Sequence, residues 1–186
     1  MEIKYADQMV TLTTIPLINK AFTFASAAHA AVGQVRKYSG EPYIVHPVEV
    51  ACRVTEAKDW TNEMVAAALL HDVVEDTDVT IDLIDKMFNP VVMNHVSWLT
   101  DISKGSSANR AARKKMDREH TWAAPKQSQT IKVCDLIANT RDITSADPNF
   151  AVVYMKEKRL LLEGMNADEG LMQQAWALVH EFEKNK

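Results

Sequence analysis

Apolar residues recur along most of the chain at intervals of three and four positions, which is the spacing of one face of an α-helix. Stretches in which apolar and polar residues alternate, the pattern of a half-buried strand, are rare. Five glycines and six prolines interrupt the pattern at few places, so long helices are possible. The sequence therefore predicts an all-α protein, a bundle of helices.

The predicted helices begin at residue types that suit a helix start. The first covers about residues 17–35, and a polar link that contains a glycine leads from there to His46. Pro47 fits the first turn of the second helix, because its missing N–H would have no partner there. This places His46 at a helix entrance. Later helices are expected to start at Thr61, Thr80, Asn89, Asp147 and Asp168, the last two spanning about residues 147–165 and 168–184.

Three further stretches stand out by their polarity. Residues 65–70 are apolar and predict a buried helix. A second buried helix starts near residue 129, and its apolar side is interrupted by Asp135, a charge that is costly unless it is paired or bound to a cation. Residues 103–119 are strongly basic, which is typical of a solvated helix face beside a loop.

The most informative run follows the first buried stretch, where residues 71–76 read H-D-V-V-E-D. If the helix continues, His71 lies over Glu75 and Asp72 lies over Asp76, because residues four apart share a helix face. Neighbouring His and Asp side chains can bind one cation, and carboxylates one turn away can move protons of a metal-activated water. A solvated acidic helix end beside an ordinary histidine is the alternative, and further ligands are needed to decide.

Two more polar residues, His46 and Asp135, stand at junctions of apolar helices. Together with His71 and Asp72 they offer two imidazoles and two carboxylates from three separate segments. This donor set suits Mn²⁺, Fe²⁺ or Zn²⁺, and its share of oxygen favours Mn²⁺. We therefore expect a metal-dependent catalytic site in which water or substrate completes the coordination.

Composition limits the class of protein and its partners. A chain of 186 residues with 47% apolar residues can bury a sizeable core, and we expect one domain over residues 1–186. The net charge of −4 gives no general attraction for nucleic acid, so an anionic substrate must meet a local basic cluster. No secretory signal or membrane-spanning stretch is recognisable, which predicts a cytoplasmic protein without a membrane partner. Cys52 and Cys134 are expected to be reduced core residues, with a disulfide between them left open.

Three longer motifs add a family resemblance. Residues 40–47 read G-E-P-Y-I-V-H-P, residues 67–76 read A-A-L-L-H-D-V-V-E-D, and residues 132–141 read K-V-C-D-L-I-A-N-T-R. In this order they resemble the signatures of the HD-domain phosphohydrolases, in particular the (p)ppGpp hydrolase domain of the RelA/SpoT type and the Mesh1-like small alarmone hydrolases. The resemblance covers about residues 22–165 and implies a single HD-domain helical bundle.

The resemblance implies a reaction and the residues that perform it. The substrate would be guanosine tetra- or pentaphosphate, whose 3′-pyrophosphate is hydrolysed to give GDP or GTP and pyrophosphate. Glu75 is the first choice to orient or deprotonate the attacking water, with Asp76 assisting, and which acid takes the proton stays open. The residues that match the family's Mn²⁺ ligands are His46, His71, Asp72 and Asp135.

The resemblance also implies substrate contacts, each with a structural alternative. Arg36 and Lys37 match a basic pair that meets the guanine and its phosphates, but an exposed helix end would explain them too. Asn139 matches an asparagine that faces the nucleotide, and its alternative is a hydrogen bond inside the helix. Tyr154 matches a tyrosine near the sugar, and its alternative is core packing.

Other positions fit the family less closely. Lys104 and Arg113 lie in the basic stretch that borders the phosphates in relatives, although a solvated face is the simpler explanation for both. Many relatives have a histidine at the place of Ala31, near the end of the first helix, whereas His29 falls two residues earlier here. Local packing or nucleotide contacts are therefore expected to differ at this point.

Other functions would use the same residues. An HD-domain enzyme could remove the 2′-phosphate of NADPH or hydrolyse deoxynucleoside monophosphates with the same metal ligands. An HD module that binds a nucleotide without reacting is the alternative from outside the enzymes, and loss of a ligand or of the acidic pair would favour it. Neither is lost, and convergent polar groups of this kind indicate chemistry. The residues around Arg36, Lys37 and Tyr154 favour a guanosine 3′-pyrophosphate as substrate.

Overall fold

The computed structural model describes residues 3–185 and confirms the all-α prediction. Within this range it contains eleven helices and no strand, apart from one isolated antiparallel bridge between Val35 and Pro42. The helices are α1 (Ile3–Leu12), α2 (Pro16–Ala31), α3 (Val45–Val54), α4 (Asn62–Leu70), α5 (Val73–Asp76), α6 (Ile81–Met87), α7 (Pro90–Leu99), α8 (Arg110–Ala123), α9 (Lys126–Ala146), α10 (Pro148–Leu162) and α11 (Glu169–Lys184).

The chain divides into two compact units, residues 1–100 and residues 101–186. The first contains α1 to α7, and the second contains α8 to α11. Each unit has buried apolar residues of its own. The organisation as one domain over residues 1–186 stays a prediction.

In the first unit, α4 is the central helix. All its residues from Met64 to Leu70 are buried, and it packs against α2, α3 and α7. A helix that is apolar on all sides is stable only in such a position. Thr61 caps α4 as predicted, because its side chain accepts a hydrogen bond from the backbone N–H of Met64. Thr80 and Asn89 cap α6 and α7 in the same way.

The first predicted helix ends earlier than expected. α2 stops at Ala31, short of residue 35, because Gly33 adopts a left-handed conformation with a φ of +65°. The backbone N–H of Gln34 then bonds to the carbonyl oxygen of His29 over 3.1 Å, which is a Schellman-type helix end. The second helix begins at Val45, so that His46 lies inside its first turn rather than before it.

The prediction that residues 71–76 continue the preceding helix is wrong. α4 ends at Leu70, His71 and Asp72 form a turn, and α5 begins at Val73. The Nδ1 atom of His71 donates a hydrogen bond to the carbonyl oxygen of Ala68 over 2.7 Å. This carbonyl is the acceptor that the backbone N–H of Asp72 would use in a continued helix, so the side chain of His71 bonds to an acceptor of the last turn of α4.

In the second unit, α9 is the central helix and packs against α8, α10 and α11. Asp147 and Asp168 cap α10 and α11 as predicted. α10 ends at Leu162, and the loop that follows it is tied to α9. There Gln129 accepts a hydrogen bond from the backbone of Asn166, and Thr130 accepts one from the backbone of Asp168. These contacts hold the chain after α10 against α9, and the predicted extension of the helix to residue 165 does not form.

Two expectations about chemistry can be compared directly with the structure. Cys52 and Cys134 are both buried and neither forms a disulfide, as expected for reduced core residues. None of the helices within residues 3–185 combines the length and the hydropathy that crossing a membrane requires.

Candidate metal centre and active site

Three of the predicted metal ligands come together in the first unit. His46 from α3 and His71 and Asp72 from the turn after α4 place their ligand atoms within 4.8 Å of one another. The Nε2 atoms of His71 and His46 lie 3.0 and 3.8 Å from Oδ2 of Asp72. Both histidines are buried and Asp72 is half-buried. Two imidazole nitrogens and one carboxylate oxygen fit a hard or borderline divalent cation such as Mn²⁺, Fe²⁺ or Zn²⁺.

The orientation of His71 is fixed by its contact with the backbone. A carbonyl oxygen can only accept a hydrogen bond, so the bond to Ala68 places the imidazole proton on Nδ1. The Nε2 atom then carries a lone pair and faces Asp72. This is the tautomer that a metal-binding imidazole of this kind needs.

Tyr43 adds a contact that the sequence did not predict. Its hydroxyl donates to Oδ2 of Asp72 over 2.5 Å, and its ring centroid lies 5.9 Å from that of His46. The hydrogen bond orients the oxygen that faces both imidazoles. Tyr43 belongs to the G-E-P-Y-I-V-H-P motif, but its partner lies 29 positions away, beyond the reach of any spacing rule.

The predicted acidic pair lies in α5, directly after these ligands. Glu75 is half-buried and Asp76 is exposed. Oδ2 of Asp76 accepts a hydrogen bond from Nε2 of Gln34 over 2.8 Å, and Oε1 of Gln34 lies 2.6 Å from Nδ1 of His29. Sequence patterns did not predict a role for Gln34, and for His29 they indicated only a displaced position. The available signal in the sequence was a histidine at the apolar spacing of the first helix.

Arg36 and Lys37 lie in the tight turn between α2 and α3. The backbone N–H of Arg36 bonds to the carbonyl oxygen of Glu41 over 2.8 Å, which closes this turn. The guanidinium of Arg36 lies 5.9 Å from the centroid of the Tyr43 ring, and so beside the residue that orients Asp72. Lys37 is exposed. Contact of either residue with a nucleotide stays a prediction.

Asp135 lies in the second unit, buried in α9. Its Oδ2 atom is 3.0 Å from Nζ of Lys132, and its Oδ1 atom accepts a hydrogen bond from Nδ2 of Asn139 over 2.6 Å. The sequence implied that a charge at this position must be paired, and the contact with Lys132 meets this requirement. Asn139 makes the hydrogen bond within the helix that its spacing allowed. The roles of Asp135 as a metal ligand and of Asn139 as a nucleotide contact stay predictions.

Asp135 and Asn139 also line a cavity of about 410 Å³ in the second unit. Part of its wall is one face of α8, with basic side chains at Arg110, Lys114 and Arg118. Arg110 is paired with Glu157 through two hydrogen bonds of 2.8 Å, and Lys114 lies 3.1 Å from Asp101. Internal ion pairs therefore hold two of the basic groups of this wall.

Lys104 and Arg113 occupy other places. Lys104 is exposed in the loop before α8. Arg113 donates from Nη1 to the carbonyl oxygen of Ala108 over 3.1 Å. The described wall of the cavity includes neither residue. Their predicted contact with phosphate groups is supported by the resemblance alone.

Tyr154 and Lys158 reach the cavity wall from α10. The hydroxyl of Tyr154 donates to the carbonyl oxygen of Leu136 over 3.2 Å, and burial raises its pKa. Nζ of Lys158 donates to the hydroxyl of Thr140 over 2.7 Å. Burial lowers the pKa of Lys158 to about 7, while the negative charge of Asp135 opposes this shift. Lys158 was missed in the sequence, although it falls at the helical spacing of the buried apolar residues of α10.

Comparison with known proteins assigns this chain to a family. Residues 21–158 match the family model described as HD domain. The matched range contains all four predicted metal ligands and more than half of the chain. The chain therefore belongs to the HD-domain family.

Among sequences of known proteins, the chain is similar to proteins named guanosine-3′,5′-bis(diphosphate) 3′-pyrophosphohydrolase and to proteins from Brucella species named GTP pyrophosphokinase rsh. A probable enzyme of this name from Synechocystis sp. is 35% identical over 156 residues, which are 81% of this chain and 19% of that protein. The enzyme MESH1 from Danio rerio is 36% identical over 110 residues, which are 59% of each protein. The chain thus spans less than two thirds of the length of either relative.

Solved structures agree with the family assignment. One solved structure is described as a metazoan ortholog of SpoT that hydrolyzes ppGpp and plays a role in starvation responses. It superposes with a TM-score of 0.77 at 26% identity, and the match covers 89% of this chain and 94% of that one. The protein lmo0812 from Listeria monocytogenes EGD-e superposes with a TM-score of 0.64 at 24% identity, and the match covers 79% of this chain and 99% of that one. The second likeness shows the fold alone.

Proposed function

We propose that this protein hydrolyses the 3′-pyrophosphate of ppGpp and pppGpp and releases pyrophosphate together with GDP or GTP. The observation that carries the proposal is the cluster of His46, His71 and Asp72, whose ligand atoms lie within 4.8 Å of one another. Membership of the HD-domain family and similarity to proteins named for this reaction support the choice of substrate.

The proposed cofactor is a divalent cation, in the first place Mn²⁺, with Fe²⁺ and Zn²⁺ as chemically compatible substitutes. When bound, such an ion lowers the pKa of water and withdraws charge from phosphoryl oxygens. Tyr43 orients one carboxylate of the proposed set, and Lys132 and Asn139 orient the other. The proposed ligands are His46, His71, Asp72 and Asp135.

Glu75 and Asp76 are the proposed proton-handling groups. A carboxylate within hydrogen-bond reach of the attacking water orients it and accepts its proton. Both acids lie in α5, directly after the turn that carries His71 and Asp72, and this position supports the role. Glu75 remains the first choice as the base, with Asp76 assisting.

The proposed contacts with the nucleotide follow the family resemblance. Positive charges are needed wherever a tetraphosphate binds to a protein with a net charge of −4. The place of Arg36 beside Tyr43 supports its role, and the cavity wall supports those of Asn139 and Tyr154. The full proposed set is Arg36, Lys37, Lys104, Arg113, Asn139 and Tyr154.

The test is a hydrolysis assay on purified protein that has been stripped of metal with a chelator. The protein is incubated with ppGpp, with NADPH and with deoxynucleoside monophosphates, each with and without Mn²⁺, and the products are separated by chromatography. We expect release of GDP from ppGpp only when Mn²⁺ is present. Turnover of NADPH or of a deoxynucleotide with ppGpp untouched would overturn the proposed substrate and leave a metal-dependent hydrolase.

Variants of the cluster distinguish activity of this protein from activity of a contaminating enzyme in the sample. His46→Ala and Asp72→Asn should each lower the rate by more than about 100-fold, since residues that merely support metal ligands are already worth about 10- to 100-fold. The matched control is His180→Ala, which removes an exposed histidine stacked on Trp176 and should leave the rate unchanged. Equal rates for all three variants would show that the activity does not belong to this site.

A further inference from the structure

Gln34 is held at four points although it lies outside any helix. Its backbone N–H bonds to the carbonyl oxygen of His29 over 3.1 Å, and its own carbonyl oxygen accepts the backbone N–H of Tyr43 over 3.3 Å. Its side chain lies 2.6 Å from Nδ1 of His29 and donates to Oδ2 of Asp76 over 2.8 Å. Because its backbone and its side-chain amide are both fixed, Gln34 loses little conformational entropy when it holds another group.

The local sequence explains this position. Gly33 has a φ of +65°, a conformation that glycine adopts at no steric cost, and it ends α2 so that the chain turns back across the end of the helix. The turn places Gln34 between His29, in the last part of α2, and Asp76, at the end of α5. Direct packing of α2 against α5 keeps the two partners of the amide together.

The chemistry of the groups fixes the direction of each hydrogen bond. A carboxylate only accepts, so Gln34 must present its NH₂ group to Asp76 and its oxygen to His29. His29 must then carry its proton on Nδ1. Its Nε2 atom is buried and has no hydrogen-bond partner among the described residues, which suits the unprotonated nitrogen of a neutral ring. Burial lowers the pKa of His29, in agreement with the neutral form.

We propose that Gln34 is a positioning residue that holds the carboxylate of Asp76 for proton transfer, and that His29 holds Gln34 in turn. The inference rests on the proposed hydrolysis, in which Asp76 assists Glu75. Asp76 is exposed, so its side chain would sample several rotamers without a fixed partner. The hydrogen bond from Gln34 engages Oδ2 and leaves Oδ1 to meet water or substrate.

The kinetic test compares two substitutions of Gln34. Gln34→Ala removes the amide and should lower kcat for ppGpp roughly 10- to 100-fold with KM within about twofold, because only the geometry of the reacting groups is disturbed. Gln34→Glu keeps the size and shape of the side chain but sets a second carboxylate against Asp76, so it should be at least as damaging. A purely structural role predicts instead that both variants lower the thermal midpoint of unfolding while kcat of the folded protein is unchanged.

Gln8 provides a matched control in the same unit. Its Nε2 atom donates to the carbonyl oxygen of Cys52 over 3.2 Å and to the hydroxyl of Thr55 over 2.7 Å. Gln8→Ala therefore also removes a doubly bonded glutamine amide, but away from the acidic pair. It should lower the thermal midpoint of unfolding and leave kcat unchanged. A loss of kcat like that of Gln34→Ala would overturn the proposal.

His29 allows a rescue experiment. In His29→Asn, Nδ2 stands at the place of the imidazole Nδ1 and can still donate to Gln34, whereas His29→Leu has no donor. We expect kcat to fall in the leucine variant and to be largely recovered in the asparagine variant. Equal loss in both variants would contradict the relay from His29 through Gln34.

A measurement without turnover separates this proposal from the proposed function. Nitrogen-15 NMR of the histidine rings in the metal-free protein should find His29 neutral with its proton on Nδ1, and Asp76→Ala should shift the side-chain amide resonances of Gln34. These results would support the hydrogen-bond chain even in a protein that left ppGpp intact. An Nε2-protonated His29, or Gln34 resonances that ignore Asp76→Ala, would overturn the proposal even in an active enzyme.

Discussion

Lys158 is the largest side chain that is fully buried in the described part of the chain. A buried ammonium group is unfavourable unless it is paired, and here the hydroxyl of Thr140 and the charge of Asp135 offset only part of the cost. The pKa of Lys158 therefore falls to about 7, well below its ordinary value. The group changes its charge in the neutral pH range.

Stability should depend on pH through Lys158. Above about pH 7 the unfolded chain binds the lysine proton and the folded chain does not, so the free energy of unfolding rises with pH, by at most about 1.4 kcal/mol per pH unit. The rise ends where the free lysine also loses its proton, and below the folded pKa the full penalty remains. We expect urea unfolding at pH 7 and pH 9, with chelator present, to show this rise in the wild type relative to Lys158→Met.

The matched control is Lys156→Met, which removes an exposed lysine from the same helix. Its pH dependence should follow that of the wild type. Lys158→Met should also be as stable as the wild type or more so at pH 7, because an apolar side chain of similar length avoids the desolvation cost. A strongly destabilised Lys158→Met would indicate that the hydrogen bond to Thr140 outweighs this cost.

Tyr43 should contribute to metal affinity without being a ligand. Tyr43→Phe keeps the ring and removes the hydrogen bond to Asp72, so the affinity for Mn²⁺ should fall by about 10- to 100-fold. Calorimetric titration of stripped protein measures this change. Tyr38→Phe, in the same turn, is the control and should bind Mn²⁺ as the wild type does. Equal affinity in both variants would contradict the orienting role of Tyr43.

At the level of helices, the starts were predicted better than the ends. Thr61, Thr80, Asn89, Asp147 and Asp168 all accept a hydrogen bond from a backbone N–H in the first turn of their helices. Such a cap involves residues three positions apart, so it can be recognised from local sequence. The helix ends at Ala31 and Leu70 instead depend on a left-handed glycine and on a histidine that bonds to its own helix. Both signals were present but were outweighed by the apolar pattern.

The cap of α7 gives a prediction in which the change from asparagine to alanine has different effects on stability at two sites. Asn89→Ala removes the oxygen that accepts the backbone N–H of Val92 and should lower the free energy of unfolding by about 1 kcal/mol. Asn94→Ala makes the same change at an exposed position in the middle of the helix, where alanine is the better helix former, and should be neutral or slightly stabilising. Urea denaturation measures both. Equal destabilisation by both variants would contradict the capping role.

Across the whole chain, the candidate site was predicted as a set of residues and not as a network. The histidines and aspartates follow from sequence motifs and from charges that interrupt apolar helices. Tyr43 with Asp72 and Gln34 with Asp76 are contacts across 29 and 42 positions, and their side chains meet only when the helices pack. Local periodicity carries no information on such pairs, which is why the supporting residues were missed, whereas the proposed metal ligands could be predicted from motifs.

Binding of the proposed cation should stabilise the folded protein as a whole. An ion at 100 times its Kd that binds only the folded state adds about 2.7 kcal/mol, which corresponds to a rise of roughly 5–10 °C in the thermal midpoint for a chain of this size. We expect this rise when Mn²⁺ is added to stripped wild-type protein, and its loss in His46→Ala. The control, His180→Ala, should keep it.

Asp135→Asn tests the proposed fourth ligand, because it keeps the size of the side chain and removes its charge. A variant that kept the full rise would limit the ligands to His46, His71 and Asp72, whereas loss of the rise would support Asp135 as a ligand.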